Sequence, residues 1–502
     1  MVFSSVIFLC IFLPVVLLGY HILPKRARNY WLLLASLAFY ACSGPKHLIY
    51  LLSSVILNFA FGLLIAKLAD RGALADIRGM AVSHPASQKA ALAVAVILNV
   101  GSLIYFKYTG MIFETIKDLS HSDMSIPEII LPVGISFYTF QCMSYLIDVY
   151  RREGVKKQDG TITKFCEKDP VKFALYITMF PQFLQGPIIR YGDVKDSLSA
   201  PVITIDDIEK GITRFIIGLA KKAVIANTIG EVCDSIYEIA PGNMSAAVAW
   251  LGAVMYTLQI YFDFSGYTDM AIGLGNLFGF KFCENFNYPY ISKSVTEFWR
   301  RWHISLSTWF RDYLYIPLGG NRRGNVYFNL LVVFIATGIW HGAAWGFVVW
   351  GLWHGLFMLI ERLLKGKKLP FNVPAGIVSF LKWAYTILVV MLGWVLFKIE
   401  DLPHALSYIG SMFSTKAHDY NAFSVRFFLD ARMVFFLVVA AVACVPWAQI
   451  MPGKASAYIA QFAGGNRPAY RISRHVCLIL LFIISFIFIV NTTYSPFIYF
   501  RF

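Results

Sequence analysis

Long apolar runs, separated by short polar connectors, make up most of this 502-residue chain. Runs such as 2–20, 90–108 and 377–397 approach the roughly 20 residues that a helix needs to cross a bilayer. In the first half of the chain, basic connectors alternate with non-basic ones, as cytoplasmic and outer loops do. We therefore predict an all-α, polytopic integral membrane protein with about 10–12 transmembrane helices and an N-terminus on the outer side.

Two apolar segments carry signals that interrupt a helix. Pro181, Gly186 and Pro187 fall within 173–189, and prolines at this density break a helix. A glycine-rich stretch, 263–280, follows the apolar run 246–262, and we expect a broken helix there as well. Irregular backbone at membrane depth survives only when it is buried in protein or lines a cavity, so both places predict re-entrant or bent segments.

The composition supports a membrane protein and argues against a nucleic-acid partner. Hydrophobic residues make up 58% of the chain and charged residues only 15%, whereas soluble proteins carry roughly 25% charged residues. Because no polar stretch is long enough to form a soluble domain, we predict a single membrane domain over 1–502. The net charge of +15 lies in short connectors, where anionic lipid headgroups and the positive-inside rule explain it better than nucleic acid does.

The eight cysteines are scattered and form no CxxC pair and no metal-ligand spacing. Most lie in apolar surroundings, where cysteine behaves as a small core residue. We predict no disulfide framework, no metal site and no permanently bound cofactor.

Residues 294–313 show the clearest helical pattern in the chain. Ser294 and Glu297 have the spacing of a capping box, which predicts a helix start. Two neighbouring stripes follow at spacings of three and four residues: an apolar one with Phe298, Trp302, Leu306, Trp309 and Tyr313, and a polar one with Arg300, His303, Ser307 and Arg311. We expect one amphipathic helix with a cationic edge.

The cationic edge has two possible functions, and the residue spacing does not distinguish between them. It can anchor a membrane-surface helix through snorkelling arginines. Alternatively, its arginines can bind a phosphorylated, anionic substrate together with the basic turn that follows. The residues concerned are Arg300, Arg311, Arg322 and Arg323. The turn itself, IPLGGNRRG, lacks the pattern of a phosphate-binding loop.

His341 ends an apolar run, LLVVFIATGIWHG, and is the main candidate for chemistry. An ionisable residue inside a membrane segment is a functional candidate by default, although a neutral histidine hydrogen-bonded to a neighbouring helix is the alternative. His354 follows after thirteen residues, about 20 Å along a continuous helix. The two can share a proton only if the chain breaks within 342–346, so we expect His354 to be structural. His303 lies on another element and could converge with His341.

No Ser-His-Asp order, GxSxG elbow or HExxH motif occurs in the chain. Without a metal, a buried histidine can act as general base for a hydroxyl nucleophile, because its ordinary pKa near 6.5 leaves it mostly neutral at pH 7.

Several motifs carry a resemblance to a known family. They are LPVGISFYTFQCMSYLIDVYR, FPQFLQGPI, DFSGYTDMAIG, ENFNYPYISKSVTEFWRRWHISLSTWFRDYLYIPLGGNRRG, TGIWHGAAWGFVVWGLWHG and the terminal SPFIYFRF. The chain resembles the membrane-bound O-acyltransferase family, with the motif core at about 284–360. The resemblance implies a helical core around a central funnel, and acyl transfer from a cytoplasmic donor to an acceptor outside. It places the family's invariant histidine on His341 and its second conserved histidine on His303.

The motifs are most similar to the bacterial branch that O-acetylates the exopolysaccharide alginate, at the inner (cytoplasmic) membrane. For that branch the resemblance implies acetyl-CoA as donor, and an extracytoplasmic partner protein or the polysaccharide itself as acceptor. Arg300, Arg311 and Arg322 then become candidates for donor binding, with His303, Asp312 or Asn321 orienting His341 or the donor. D-alanyl transfer from a carrier thioester, and O-acetylation of peptidoglycan, stay open as alternatives within the family.

A transporter or flippase is the competing class of protein. Transporters often show internal repeats and paired intramembrane carboxylates. This chain has no visible repeat, and its candidate carboxylates, Asp148, Asp263 and Asp269, lie near the ends of predicted spans. The sequence therefore favours an enzyme.

Overall fold

The computed structural model describes residues 1–72, 85–121, 123–127, 129–153, 164–366, 373–414, 424–451, 468–492 and 494. Within these ranges the regular secondary structure is helical, without a strand, which confirms the all-α prediction. The terminal motif SPFIYFRF lies outside the described residues. The chain divides into two compact units, Met1–Ile212 with Ala271–Cys283, and Thr213–Met270 with Glu284–Phe502. The single domain expected over 1–502 stays a prediction.

The first unit is built from helices that pack on one another, and few of its buried side chains are charged. Helix α3 packs on α4 and α6, and α2 packs on α7. The helices are α1 Leu13–Ile22, α2 Lys25–Ala41, α3 Pro45–Gly72, α4 Ala86–Leu103, α5 Thr109–Ser120, α6 Ile135–Arg152, α7 Pro170–Thr178, α8 Phe180–Phe183, α9 Tyr191–Ser199 and the first half of α10 Ile205–Ala220. The break between α7 and α8 confirms the interruption that the prolines predict.

The second unit holds the rest of α10 and the helices that follow, except that the end of α12 from Ala271 belongs to the first unit. They are α11 Asn227–Tyr237, α12 Ala246–Leu277, α13 Val295–Arg301, α14 Ile304–Phe310, α15 Val326–His341, α16 Trp345–Leu364, α17 Ala375–Lys398, α18 Leu402–Met412, α19 Val425–Phe428, α20 Ala431–Ala443, α21 Trp447–Ile450 and α22 Pro468–Asn491. Helices α15 and α16 form a hairpin, α16 packs on α17, and α13 contacts both α16 and α17.

Six helices in the described part of the chain are long and apolar enough to cross a membrane. Three shorter apolar helices accompany them, Phe8–Ile22, Val326–His341 and Ala431–Ala443. The polytopic architecture is thereby confirmed, and the number of crossings stays a prediction.

The expected break in 263–280 is wrong, because α12 runs without interruption from Ala246 to Leu277. Its glycines serve helix packing instead. A Cβ atom on Gly266 would lie 2.8 Å from the carbonyl oxygen of Gly218 in α10, and one on Gly218 would lie 2.5 Å from the carbonyl oxygen of Gly266. Small residues at both positions let the two backbones touch, as in other membrane helix pairs.

Next to this contact, basic residues on both sides of Gly218 pair with the carboxylates of α12. Lys222 and Asp263, exposed by only 1% and 2%, form an ion pair. Lys221 Nζ lies 2.7 Å from a carboxylate oxygen of Asp269, and an Arg214 nitrogen lies 2.9 Å from the other oxygen. A buried charge is tolerated when it is paired in this way. Asp263 and Asp269 therefore both lie in ion pairs with basic side chains.

Candidate active site

Helix α13 begins at the residue that the capping box predicts. Ser294 Oγ accepts a hydrogen bond from Glu297 N at 2.9 Å, and Glu297 Oε2 accepts one from Lys293 N at 3.0 Å. Glu361 of α16 binds the same helix end, because its carboxylate accepts from Val295 N at 2.5 Å and from Thr296 N at 3.0 Å. This carboxylate, which the sequence pattern did not single out, ties the start of α13 to α16.

The single amphipathic helix expected over 294–313 is wrong, because it breaks at Trp302 and His303. His303 has a φ angle of +44°, in the left-handed region that non-glycine residues rarely adopt. Two backbone hydrogen bonds with Asn285 and Asn287 stabilise the chain on either side of the break. Ile304 N donates to the carbonyl oxygen of Asn285 at 2.9 Å, and Asn287 N donates to that of Arg301 at 2.9 Å.

The break separates His303 from the cationic edge on which the spacing placed it. His303 is fully buried, whereas Arg300 and Arg311 are exposed. The apolar stripe is confirmed as the buried face, since each of its five members is at most 9% exposed.

Asn285 fixes the orientation of the His303 ring. Its Oδ1 atom lies 3.0 Å from His303 Nδ1 and accepts hydrogen bonds from Ser305 N at 3.2 Å and Ser305 Oγ at 2.9 Å. Because Oδ1 can only accept, Nδ1 must carry the proton and Nε2 must carry the lone pair. Nε2 has no hydrogen-bond partner among the described residues.

Burial also sets the charge of His303. Desolvation lowers its pKa from 6.5 to about 3, so the imidazole is neutral at physiological pH. A group of this kind is a poor proton acceptor and a good hydrogen-bond acceptor at Nε2.

His341 is the last residue of α15, where the chain turns through 342–344 into α16. Its side chain is buried, with 2% exposure, among rings from three other places. Ring centroids lie 4.9 Å away for Trp350 of α16, 5.2 Å for Phe397 of α17 and 6.4 Å for His303. The structure thus brings together the two histidines whose convergence the sequence left open.

Glycines allow this turn to close. A Cβ on Gly342 would lie 2.1 Å from the Phe347 ring, and one on Gly338 would lie 2.3 Å from the Phe347 carbonyl oxygen. A Cβ on Gly346 would lie 2.9 Å from the carbonyl oxygen of Glu400. The small residues Gly338, Gly342 and Gly346 therefore permit the close approach of neighbouring backbone and rings at this turn.

His354 lies fully buried on α16. The chain does break between the two helices, which is the condition under which His341 and His354 could approach. Trp350 contacts both, with ring centroids at 4.9 Å from His341 and 5.2 Å from His354. The structural role of His354 stays a prediction.

Of the remaining candidates, Arg300 is exposed on α13, and Arg311, Asp312, Asn321 and Arg322 lie on a rim between the end of α14 and the start of α15. Arg311 Nε donates to Asp312 at 2.7 Å, so its charge is shared with a neighbouring carboxylate. Asn321 Oδ1 accepts from Tyr315 Oη at 2.9 Å and from Arg362 Nη1 at 3.2 Å. Arg322 is exposed. The participation of Arg300, Arg311, Asp312, Asn321 and Arg322 in binding stays a prediction.

The arrangement suits acyl transfer to a hydroxyl. Two buried histidines lie with ring centroids 6.4 Å apart among aromatic side chains, and one of them, His303, has an oriented, unprotonated nitrogen. Such a pair can hold a hydroxyl and take its proton as it attacks a carbonyl. Sequence reasoning missed Asn285, because nothing in the spacing of ENFNYP distinguishes that side chain from a surface loop residue.

The chain is similar to known acyltransferases over most of its length. The sequence model of the family described as MBOAT, membrane-bound O-acyltransferase family, matches residues 119–397. The chain is 38% identical over 518 residues to a protein named probable alginate O-acetylase AlgI from Pseudomonas putida, with 100% of both chains covered. It is 34% identical over 440 residues to a peptidoglycan O-acetyltransferase of Helicobacter pylori, covering 82% of this chain and 80% of the relative.

A more distant similarity is 30% identity over 275 residues with a teichoic acid D-alanyltransferase of Bacillus subtilis, covering 51% of this chain and 66% of that protein. The family model spans more than half of the chain, and the two relatives named for O-acetylation cover 100% and 82% of it. With its buried histidine pair between apolar helices, the chain belongs to the membrane-bound O-acyltransferase family and is an O-acyltransferase.

Proposed function

We propose that this protein takes an acetyl group from acetyl-CoA on the cytoplasmic side of the inner membrane and passes it to an acceptor outside. The acceptor serves O-acetylation of an alginate-type exopolysaccharide, either as a partner protein or as the polymer itself. The extent of similarity supports this choice. Relatives named for alginate O-acetylation match the chain from end to end, whereas a relative named for D-alanyl transfer matches about half of it, 51%.

The observation that carries the proposal is the His303–His341 pair, with ring centroids 6.4 Å apart. His341 accepts the proton of the acceptor hydroxyl while the hydroxyl oxygen attacks the thioester carbonyl carbon. The carbon–sulfur bond then breaks, and the thiolate takes the proton back from His341. His303 accepts a hydrogen bond at Nε2 and so orients the hydroxyl, a role that fits its lowered pKa better than proton transfer does.

The exposed rim provides a place for the donor's phosphates. Coenzyme A is a polyanion, and arginine binds phosphate through paired N–H groups. Arg300 and Arg322 are exposed, whereas the charge of Arg311 is partly neutralised by Asp312. We therefore assign phosphate binding to Arg300 and Arg322, and we assign Asn321 the role of holding the rim through Tyr315 and Arg362.

The ion pairs of α12 argue against the transporter alternative. A carboxylate that carries protons or ions must change its partner during the cycle. Asp263 and Asp269 are each bound to lysine or arginine side chains, which is how carboxylates that link two helices are arranged.

Replacing His341 by alanine in cells that make the polymer tests the proposal. We expect polymer O-acetyl groups to disappear from the NMR spectrum while the protein remains in the membrane fraction. The control is His21→Ala, which alters an exposed histidine in the first unit and should leave acetylation at the wild-type level. Unchanged acetyl content in the His341 variant would refute the assignment.

A further inference from the structure

A group of buried ring nitrogens beside His341 has no hydrogen-bond partner among the described residues. It comprises Nε1 of Trp299, Trp350 and Trp394, and both ring nitrogens of His354. The four side chains are at most 7% exposed. In a folded protein more than nine in ten buried polar groups are paired, and a buried N–H without an acceptor is unfavourable.

The four side chains form one contiguous cluster. The Trp350 ring centroid lies 5.7 Å from that of Trp299, 5.9 Å from that of Trp394 and 5.2 Å from that of His354. An indole nitrogen can only donate, and a neutral imidazole supplies a single acceptor. The cluster therefore holds more donors than its own acceptors can satisfy, and it is suited to a guest that brings oxygen lone pairs.

Trp350 connects this cluster to the reaction centre. Its ring is nearly perpendicular to that of His341, with an interplanar angle of 86° and centroids 4.9 Å apart. Phe397 packs against both rings, with centroids 5.1 Å from Trp350 and 5.2 Å from His341. The indole brings an N–H donor to this wall, which a phenylalanine ring in the same position would lack.

We propose that the indole N–H of Trp350 is the oxyanion donor of the reaction and binds the carbonyl oxygen of the acyl thioester. This inference rests on the proposed function of His341. When the hydroxyl oxygen attacks the carbonyl carbon, the π electron pair of the C=O bond moves onto the oxygen, and the hydroxyl proton moves to His341. The Trp350 N–H stabilises the negative oxygen until the carbonyl reforms and the thiolate leaves with the proton from His341.

The chemistry that the N–H requires is an oxygen acceptor, and a trapped water could also supply one. An acyl oxyanion and a structural water predict different losses when the Trp350 N–H is removed. An oxyanion donor contributes to the transition state, so its loss lowers kcat by about 10²–10³-fold with little change in KM. A structural water contributes only to stability.

Trp350→Phe and its matched control Trp353→Phe separate these outcomes. Trp353 lies one turn further along α16, and its Nε1 donates to the carbonyl oxygen of Val389 at 2.9 Å, so its N–H already has a protein acceptor. With purified protein, acetyl-CoA and an acceptor alcohol, we expect kcat of Trp350→Phe, measured per folded protein, to fall about 10²–10³-fold at unchanged KM, and kcat of Trp353→Phe to stay near the wild-type value. The Tm of Trp350→Phe should also fall, because the smaller ring leaves a cavity at a fully buried position. Equal kcat values in the two variants, or a lower Tm of Trp350→Phe at unchanged kcat, would overturn the proposal.

A second measurement does not require the Trp350 variant to fold. In the inactive His341→Ala protein, the carbonyl stretch of [1-13C]acetyl-CoA should shift to lower frequency on binding, because a hydrogen bond weakens the C=O bond. A bound thioester with the frequency it has in buffer would contradict the inference. If wild-type protein transfers nothing from acetyl-CoA, the proposed function fails; if it is active and Trp350→Phe matches Trp353→Phe, the inference alone fails.

Discussion

Asn285 is the residue whose replacement tests the site geometry most sharply. Leucine at this position keeps the approximate volume and removes the amide oxygen that His303 Nδ1, Ser305 N and Ser305 Oγ share, at 3.0, 3.2 and 2.9 Å. A buried donor left without an acceptor costs about 1–3 kcal/mol. The Ser305 hydroxyl can rotate to another acceptor, so two donors remain unsatisfied, and we expect Asn285→Leu to destabilise the fold by about 2–6 kcal/mol.

The catalytic effect of Asn285→Leu should exceed what the lost stability explains. Without Oδ1 nothing selects the His303 tautomer that presents its lone pair at Nε2, so we expect kcat to fall at least tenfold in the fraction that stays folded. Asn329→Leu is the matched control, because this buried amide makes one bond, from Nδ2 to the carbonyl oxygen of Gly320 at 3.1 Å. Transfer is measured as thioester consumption by purified protein, normalised to the monodisperse peak.

Asn285→Asp gives a second readout that a purely structural role would not change. A carboxylate opposite Nδ1 stabilises the imidazolium and so raises the pKa of His303, which shifts the acidic limb of the pH–rate profile to higher pH. The reasoning is refuted if Asn285→Leu keeps a kcat within twofold of that of Asn329→Leu.

Three further predictions concern Gly266, His303 and Arg300. Gly266→Ala should lower Tm, because its Cβ would lie 2.8 Å from a backbone oxygen of α10. The control Gly410→Ala has open space around it and should leave Tm unchanged or slightly raised. Equal Tm shifts in the two variants would contradict the packing role of Gly266. Burial lowers the pKa of His303 to about 3. As the pH falls from 6.5 toward 3, the unfolded chain binds a proton at this residue that the folded chain does not, so the contribution of His303 to stability is complete above pH 6.5 and is lost over this range. The Tm of His303→Gln should therefore depend less on pH between 6.5 and 4 than the wild-type Tm does, and parallel curves would disprove this. Arg300→Glu should raise KM for acetyl-CoA severalfold at low salt, with Arg426→Glu, another exposed arginine, as control; an unchanged KM leaves Arg300 as a membrane-surface anchor.

Periodicity and capping predicted much of the second unit, because both depend on residues close in sequence. The capping box located the first residue of α13, and the stripe from Phe298 to Tyr313 identified its buried face. The break at His303 could not be predicted in this way. It depends on backbone bonds from Asn285 and Asn287, which lie 19 and 14 positions before their partners and leave no trace in the local pattern.

The glycines of α12 show a second limit of sequence reasoning. Gly266 weakens the helix locally, so the sequence alone predicted a break. The structure shows that the helix continues, because close packing against Gly218 compensates for the weak propensity. His341, by contrast, was identified from residue type and setting, since an ionisable side chain within an apolar run is rare unless it has a function. His303 lay on the polar stripe, and the family resemblance identified it as a candidate.

Quenched single-turnover transfer by the purified protein tests the central claim, that the His303–His341 pair performs the acyl transfer. Protein in excess over [14C]acetyl-CoA is mixed with an acceptor alcohol, and labelled ester is followed for wild type, His341→Gln and His303→Gln. We expect His341→Gln to slow transfer about 10²–10⁴-fold, the usual contribution of a general base, and His303→Gln to slow it less, with donor binding unchanged in both. A His341→Gln protein that forms ester within threefold of the wild-type rate would contradict the account.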